Sequence, residues 1–135
     1  TAFVATFLGD ANILPGRVAG LGTAVAEGIP VQVAGQDLFV APHATFDIEK
    51  GQEVLLAVRA ENIALGPAAN AMPNKIEVIV ENAVFFGSFW EYTVGLGGAL
   101  SVRTRVAAGH GGNIYKVGDR IVAGWYPKDT IVVGA

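Results

Sequence analysis

Side chains that commonly carry catalysis or bind metals are few in this sequence and widely separated. Both histidines, His43 and His110, are expected in loops, and His110 has no nearby carboxylate or second histidine to orient its ring. Cysteine is absent, which excludes thiolate metal sites and cysteine nucleophiles. No paired-carboxylate spacing for acid–base hydrolysis is visible. We therefore predict no catalytic, cofactor-binding or metal-binding residues.

Glycine is abundant, but no glycine-rich stretch has the pattern of a nucleotide site. The sequence contains no GxxxxGK[S/T] phosphate loop. Residues 16–22, GRVAGLG, neither follow a clear strand nor open a helix, as a dinucleotide-binding turn requires. We expect that this chain does not bind a nucleotide by either motif.

Five aromatic residues are concentrated between positions 85 and 92. They are Phe85, Phe86, Phe89, Trp90 and Tyr92. A stacking platform for nucleic-acid bases needs cationic side chains beside the rings, and none lies between Lys75 and Arg103. The cluster therefore indicates core filling or a protein contact, and the sequence leaves both open.

The overall composition indicates a well-packed globular chain without a nucleic-acid partner. Hydrophobic residues make up 52% of the 135 residues and charged residues 16%. A formal net charge of -3 provides no basic patch to neutralise phosphates. No apolar run approaches the ~18 residues of a transmembrane helix. Because the chain begins at Thr1 within a strand-like phrase, we expect it to be a piece of a longer protein.

Apolar residues alternate with polar ones at the period of half-buried strands. Residues 76–81 and 100–106 both alternate in this way, and residues 90–94 continue the apolar row between them. These segments predict a three-stranded antiparallel meander over 75–106. A second hairpin is predicted around residues 34–37, and Pro30 places its strand at an edge or a bulge. Pro15 and Gly16 predict a turn.

A repeat indicates two related halves. Residues 51–65 align without a gap on residues 118–132: each segment has a glycine, two polar residues, an apolar strand, a polar kink and a short apolar strand. We predict an all-β fold of two small pseudo-repeated β-barrels. The first comprises residues 1–66 with a contribution from 118–135, the linker is 67–74, and the second comprises 75–135.

Four phrases, in order along the chain, are similar to those of one known family. They are residues 3–18 (FVATFLGDANILPGRV), 58–63 (VRAENI), 86–94 (FGSFWEYTV) and 118–129 (GDRIVAGWYPKD). Together they resemble the C-terminal TOBE region of ATP-binding subunits of ABC importers, closest to the polyamine (spermidine/putrescine) and iron branch. Ala60 stands where that family usually has proline, whereas Pro127 at the equivalent repeat position is kept.

The resemblance implies OB-fold-like β-barrels of the TOBE type, which form a non-catalytic regulatory and dimerisation domain. ATP and Mg²⁺ would be bound by an upstream ATPase domain of the same chain. The expected partners are that domain, a second copy in a homodimer and, through the parent protein, membrane permease subunits. The protein would be cytoplasmic and peripheral to the inner membrane. Candidate interface or motif residues are Asn12, Arg59, Glu61, Trp90, Tyr92, Trp125 and Asp129.

The alternative is a module that binds a small ligand such as molybdate. Residues 10–16, DANILPG, are similar to the S-A-R-N-x-L-x-G phrase of molybdate-binding relatives. Asp10 and Ala11 occupy the region of the serine and arginine of that phrase. This departure implies that the anion contacts are lost.

Overall fold

A computed structural model describes residues 10–20, 28–41, 48–97, 100–109 and 113–134. The predictions on His43, on His110 and on the strand-like phrase that begins at Thr1 lie outside these residues. The described part forms ten β-strands and three short 3₁₀ helices, with every strand pair antiparallel. The all-β prediction is confirmed.

Two five-stranded sheets have matching architectures. The first has the order β10-β4-β1-β2-β3 and the second the order β5-β9-β6-β7-β8. The first sheet contains β1 (Ala11–Val18), β2 (Ile29–Val33), β3 (Gln36–Val40), β4 (Glu53–Arg59) and β10 (Thr130–Gly134). The second contains β5 (Ala64–Leu65), β6 (Asn74–Phe85), β7 (Phe89–Gly97), β8 (Leu100–Ala107) and β9 (Arg120–Trp125).

The predicted repeat coincides with two equivalent strand exchanges between the sheets. After β4, the 3₁₀ helix η1 (Ala60–Asn62) leads into β5 of the second sheet. After β9, η3 (Pro127–Asp129) leads back into β10 of the first sheet. The ungapped alignment of 51–65 on 118–132 places η1 on η3, so the shared turn pattern reflects a shared structure.

Each sheet curls until its outer strands approach each other. β3 contacts β10 at the two edges of the first sheet, and β8 contacts β5 at the two edges of the second. Curling of this kind hides unpaired strand edges. The inward side chains of both sheets form one hydrophobic cluster, which includes Leu14, Leu56, Val78, Tyr92 and Trp125.

The predicted meander is present as β6, β7 and β8. In β6, Ile76, Val78 and Val80 are buried whereas Glu77 and Glu81 are exposed. The alternation in the sequence therefore identified the buried face of this strand.

The predicted hairpin is also present, as β2 and β3 joined at Ala34 and Gly35. Both turn residues have positive φ, 51° and 78°. Positive φ at both central positions defines a type I′ turn, whose twist matches that of the flanking strands.

The turn predicted at Pro15 and Gly16 is wrong, because both residues lie inside the continuous strand β1. Pairing of β1 with β2 begins only at Arg17, so Pro15 is accommodated where β1 is paired with β4 alone. At Gly16 a Cβ atom would lie 2.6 Å from Cγ1 of Val31. The glycine is thus explained by close packing on β2 rather than by a turn.

The segment predicted as a linker overlaps the 3₁₀ helix η2 (Gly66–Ala71), which contacts β9. Ala69 within it is completely buried. β6 then begins at Asn74. The division into 1–66, 67–74 and 75–135 stays a prediction.

Candidate interface and the clamps that position it

Asn12 joins the two sheets through its side-chain amide. Its Nδ2 donates hydrogen bonds to the carbonyl oxygens of Arg103, at 2.8 Å, and Val58, at 3.2 Å. Its Oδ1 accepts one from the backbone N–H of Arg103 at 2.7 Å. A side-chain amide carries an N–H donor and a C=O acceptor side by side. It can therefore hydrogen-bond the backbone N–H and C=O of Arg103 at the outer edge of β8, as a neighbouring strand would. Asn12, which the sequence offered as a candidate interface or motif residue, therefore has a structural role in the described part of the chain.

Asn74 makes the equivalent pair of hydrogen bonds from the second sheet to the first. We call each such amide–backbone pair a clamp. Its Nδ2 donates to the carbonyl oxygen of Phe39 at 2.8 Å, and its Oδ1 accepts from the N–H of Phe39 at 2.7 Å. Asn74 begins β6 and Phe39 lies in β3, so each sheet's inner strand holds the edge strand of the other. Sequence reasoning missed Asn74. The available signal was a strand-disfavoured asparagine preceding an alternating apolar strand, as at Asn12.

Arg105 forms a second set of long-range contacts, also missed from the sequence. Its guanidinium donates to both carboxylate oxygens of Asp10 at 2.6 and 2.7 Å and to Glu91 at 3.2 Å. It also lies 5.1 Å from the ring centroid of Phe89. Desolvation disfavours its charge, but the hydrogen bond to Glu91 and the attraction of Asp10 and Glu91 outweigh it, so the pKa of Arg105 is raised above its ordinary value.

The aromatic candidates differ in their exposure. Tyr92 is completely buried, and its hydroxyl accepts a hydrogen bond from the N–H of Tyr115 at 3.2 Å. Trp125 is also completely buried, and its Nε1 has no hydrogen-bond partner among the described residues. Trp90 is half-buried and stacks on Tyr92 with ring centroids 5.8 Å apart. Of these three, only Trp90 is placed to contact a partner.

The charged candidates line two neighbouring depressions. Arg59 and Asp129 border a cavity of about 180 Å³ together with Lys128. Glu61 borders a groove of about 530 Å³ that also includes Asp129. Within the described ranges, no side-chain hydrogen bond or ion pair connects Arg59, Glu61 and Asp129. Their role as interface residues therefore stays a prediction.

The rest of the described surface has no arrangement suited to metal chemistry. Among the described residues, no three or more histidine, aspartate or glutamate side chains are grouped so that they could hold a metal ion. The same part of the chain contains no helix long and apolar enough to cross a bilayer.

Comparison with known proteins identifies the class of the fold. The model of the TOBE domain family matches residues 56–133, more than half of the chain. The chain therefore belongs to the TOBE domain family, and the resemblance found in its sequence phrases is confirmed.

A particular relative aligns over almost the whole chain. The spermidine/putrescine import ATP-binding protein PotA of Frankia alni is 32% identical over 145 residues. The alignment covers 98% of this chain but 30% of that protein, in its C-terminal region. The chain thus spans less than a third of the length of this relative.

A solved structure shares the fold at lower identity. The cytoplasmic molybdate-binding protein ModG, with molybdate bound, has a TM-score of 0.76 and 19% identity to this chain. The match covers 92% of this chain and 95% of that one. At this identity the likeness supports the fold alone.

Proposed function

We propose that this chain is the C-terminal regulatory and dimerisation module of the ATP-binding subunit of an ABC importer for polyamines. The observation that carries the proposal is the alignment of 98% of the chain on the C-terminal region of a spermidine/putrescine import ATP-binding protein. The four sequence phrases point to the same group of transporters. The module itself performs no chemistry.

In this proposal, ATP binding belongs to a different domain of the same protein. Because it contains no phosphate loop, ATP and Mg²⁺ would be bound by an ATPase domain upstream of residue 1. Through that domain the protein would act with permease subunits at the cytoplasmic side of the inner membrane. The reciprocal clamps of Asn12 and Asn74 support a stiff module, since each ties an inner strand of one sheet to the edge of the other.

Removing the module from the intact subunit tests the proposal. We expect a subunit that ends before residue 1 to hydrolyse ATP but to differ in dimer assembly or in regulation of turnover. Light scattering gives the molar mass with and without ATP, and phosphate release gives the turnover. A truncated subunit with unchanged assembly and regulation would contradict the proposed role.

Calorimetry on the 135-residue chain tests the alternative as an oxyanion module. Asp10 and Ala11 lie where the molybdate-binding phrase has serine and arginine, and Asp10 is paired with Arg105. We therefore expect no binding heat from molybdate or tungstate. Micromolar binding of either anion would favour the alternative, and the same titration with spermidine and putrescine would reveal a regulatory polyamine site.

A further inference from the structure

The strand β6 of the β6–β7 hairpin continues beyond its buried segment. Up to Val80, β6 alternates buried and exposed residues, and its register with β7 then shifts between Val80 and Asn82. Beyond this shift no residue of β6 is buried. β9 pairs with β6 only as far as Ile79, so the end of β6 has a free outer edge, whereas β7 stays paired with β8 as far as Phe89. We refer to residues 82–91 as the aromatic hairpin.

The aromatic hairpin presents large apolar side chains on a well-defined turn. Phe85 and Phe86 are 55% and 54% exposed. Phe85 packs on Trp90, and Phe86 stacks on Phe89, each with ring centroids 5.0 Å apart. Gly87 has a φ of 90°, and the N–H of Phe86 donates to the carbonyl oxygen of Phe89 at 2.9 Å, as in a two-residue hairpin turn. Two exposed phenylalanines held in this way indicate a contact surface.

Asp10, the first described residue, lies beside the base of this hairpin. Both carboxylate oxygens of Asp10 bond to Arg105. Arg105 in turn bonds to Glu91 and lies over the ring of Phe89. The described part of the chain therefore begins beside the aromatic hairpin, and residues 1–9 would connect this point to a preceding domain.

The size of the surface argues for a partner that is already tethered. About half of each of two phenylalanines, at roughly 200 Å² each, leaves roughly 200 Å² exposed. A stable interface between separate molecules buries about 800 Å² on each partner. A small apolar contact is effective within one polypeptide, because a short connection supplies a local concentration in the millimolar range.

We propose that the aromatic hairpin docks onto the domain that precedes residue 1 in the same polypeptide, with Phe85 and Phe86 as the contacting side chains. This inference rests on the proposed function, since it requires an upstream ATPase domain. The docking surface on that domain would be apolar, because the two contacting side chains are phenylalanines and the neighbouring Arg105 is already paired with Asp10 and Glu91.

Site-specific photo-crosslinking in the full-length subunit tests this inference. Phe86→p-benzoylphenylalanine places the reactive group on the hairpin, and Val117→p-benzoylphenylalanine is the control, since Val117 is also well exposed but lies outside the hairpin. We expect a product of monomer mass in which position 86 is joined to the upstream domain. Adding Phe85→Ser should abolish this product, because it removes the neighbouring contact without touching the core.

Two results would overturn the inference. A product of dimer mass would show that the hairpin contacts a second copy, and a yield at position 86 no greater than at position 117 would show no docking. ATP turnover of the unirradiated protein separates the two levels of the argument. An active ATPase without the crosslink refutes only the docking, whereas an inactive subunit refutes the proposed function.

Discussion

Replacing Asn74 by alanine should destabilise the protein by an amount set by two hydrogen bonds. The substitution removes the bonds to the N–H and C=O of Phe39, at 2.7 and 2.8 Å. Each partly buried backbone group left without a partner costs about 1 to 3 kcal/mol, and partial hydration favours the lower values, so we expect a loss of about 2 to 4 kcal/mol. Asn74→Asp keeps the volume but removes the donor, and it should cost at least as much at neutral pH.

Urea unfolding followed by far-ultraviolet circular dichroism measures this loss. The midpoint should fall with an unchanged m-value, since the surface exposed on unfolding is nearly the same. Asn82→Ala is the matched control, because Asn82 is exposed in the same strand, and it should change the free energy of unfolding by less than about 0.5 kcal/mol. Equal effects of Asn74→Ala and Asn82→Ala would refute the role given to the clamp.

Three further substitutions test other parts of the fold in the same unfolding assay. Ala34→Asn should stabilise the protein by about 0.5 to 1 kcal/mol, because asparagine tolerates the positive φ of this turn better than alanine; a loss of stability would contradict the turn assignment. Gly124→Ala should destabilise it by about 1 to 3 kcal/mol, because the new Cβ would lie 2.9 Å from two backbone oxygens. Gly20→Ala is the control and should have little effect, because its new Cβ would lie 3.6 Å from the nearest atom. Trp125→Ala should cost about 3 to 5 kcal/mol, and the half-exposed Trp90 clearly less; equal costs would mean that their burial is misassigned.

The features that the sequence predicted are those that depend on local pattern. Alternation in residues 76–81 identified the buried face of β6, and the polar kink shared by the two aligned segments marked η1 and η3. The prediction of a turn at Pro15 and Gly16 was wrong because the strands that neighbour β1 are distant in sequence. Pro15 is paired with β4, and Gly16 is needed because Val31 of β2 packs closely against it.

The long-range contacts were harder to predict because the groups in each pair lie far apart in the chain. Asn74 is 35 positions from Phe39, and Asp10 is 95 positions from Arg105. The residues next to Asn74 or Asp10 in the sequence form no pattern that predicts the bonding partner of either side chain.

Phosphate release from saturating Mg·ATP is the most direct test of the account. It should be measured on the purified 135-residue chain and, at equal molar concentration, on the full-length subunit. We expect turnover from the full-length subunit and none from the 135-residue chain, because the sequence of this chain has no phosphate loop. Phosphate release by the 135-residue chain alone would contradict the central claim that it is a non-catalytic module.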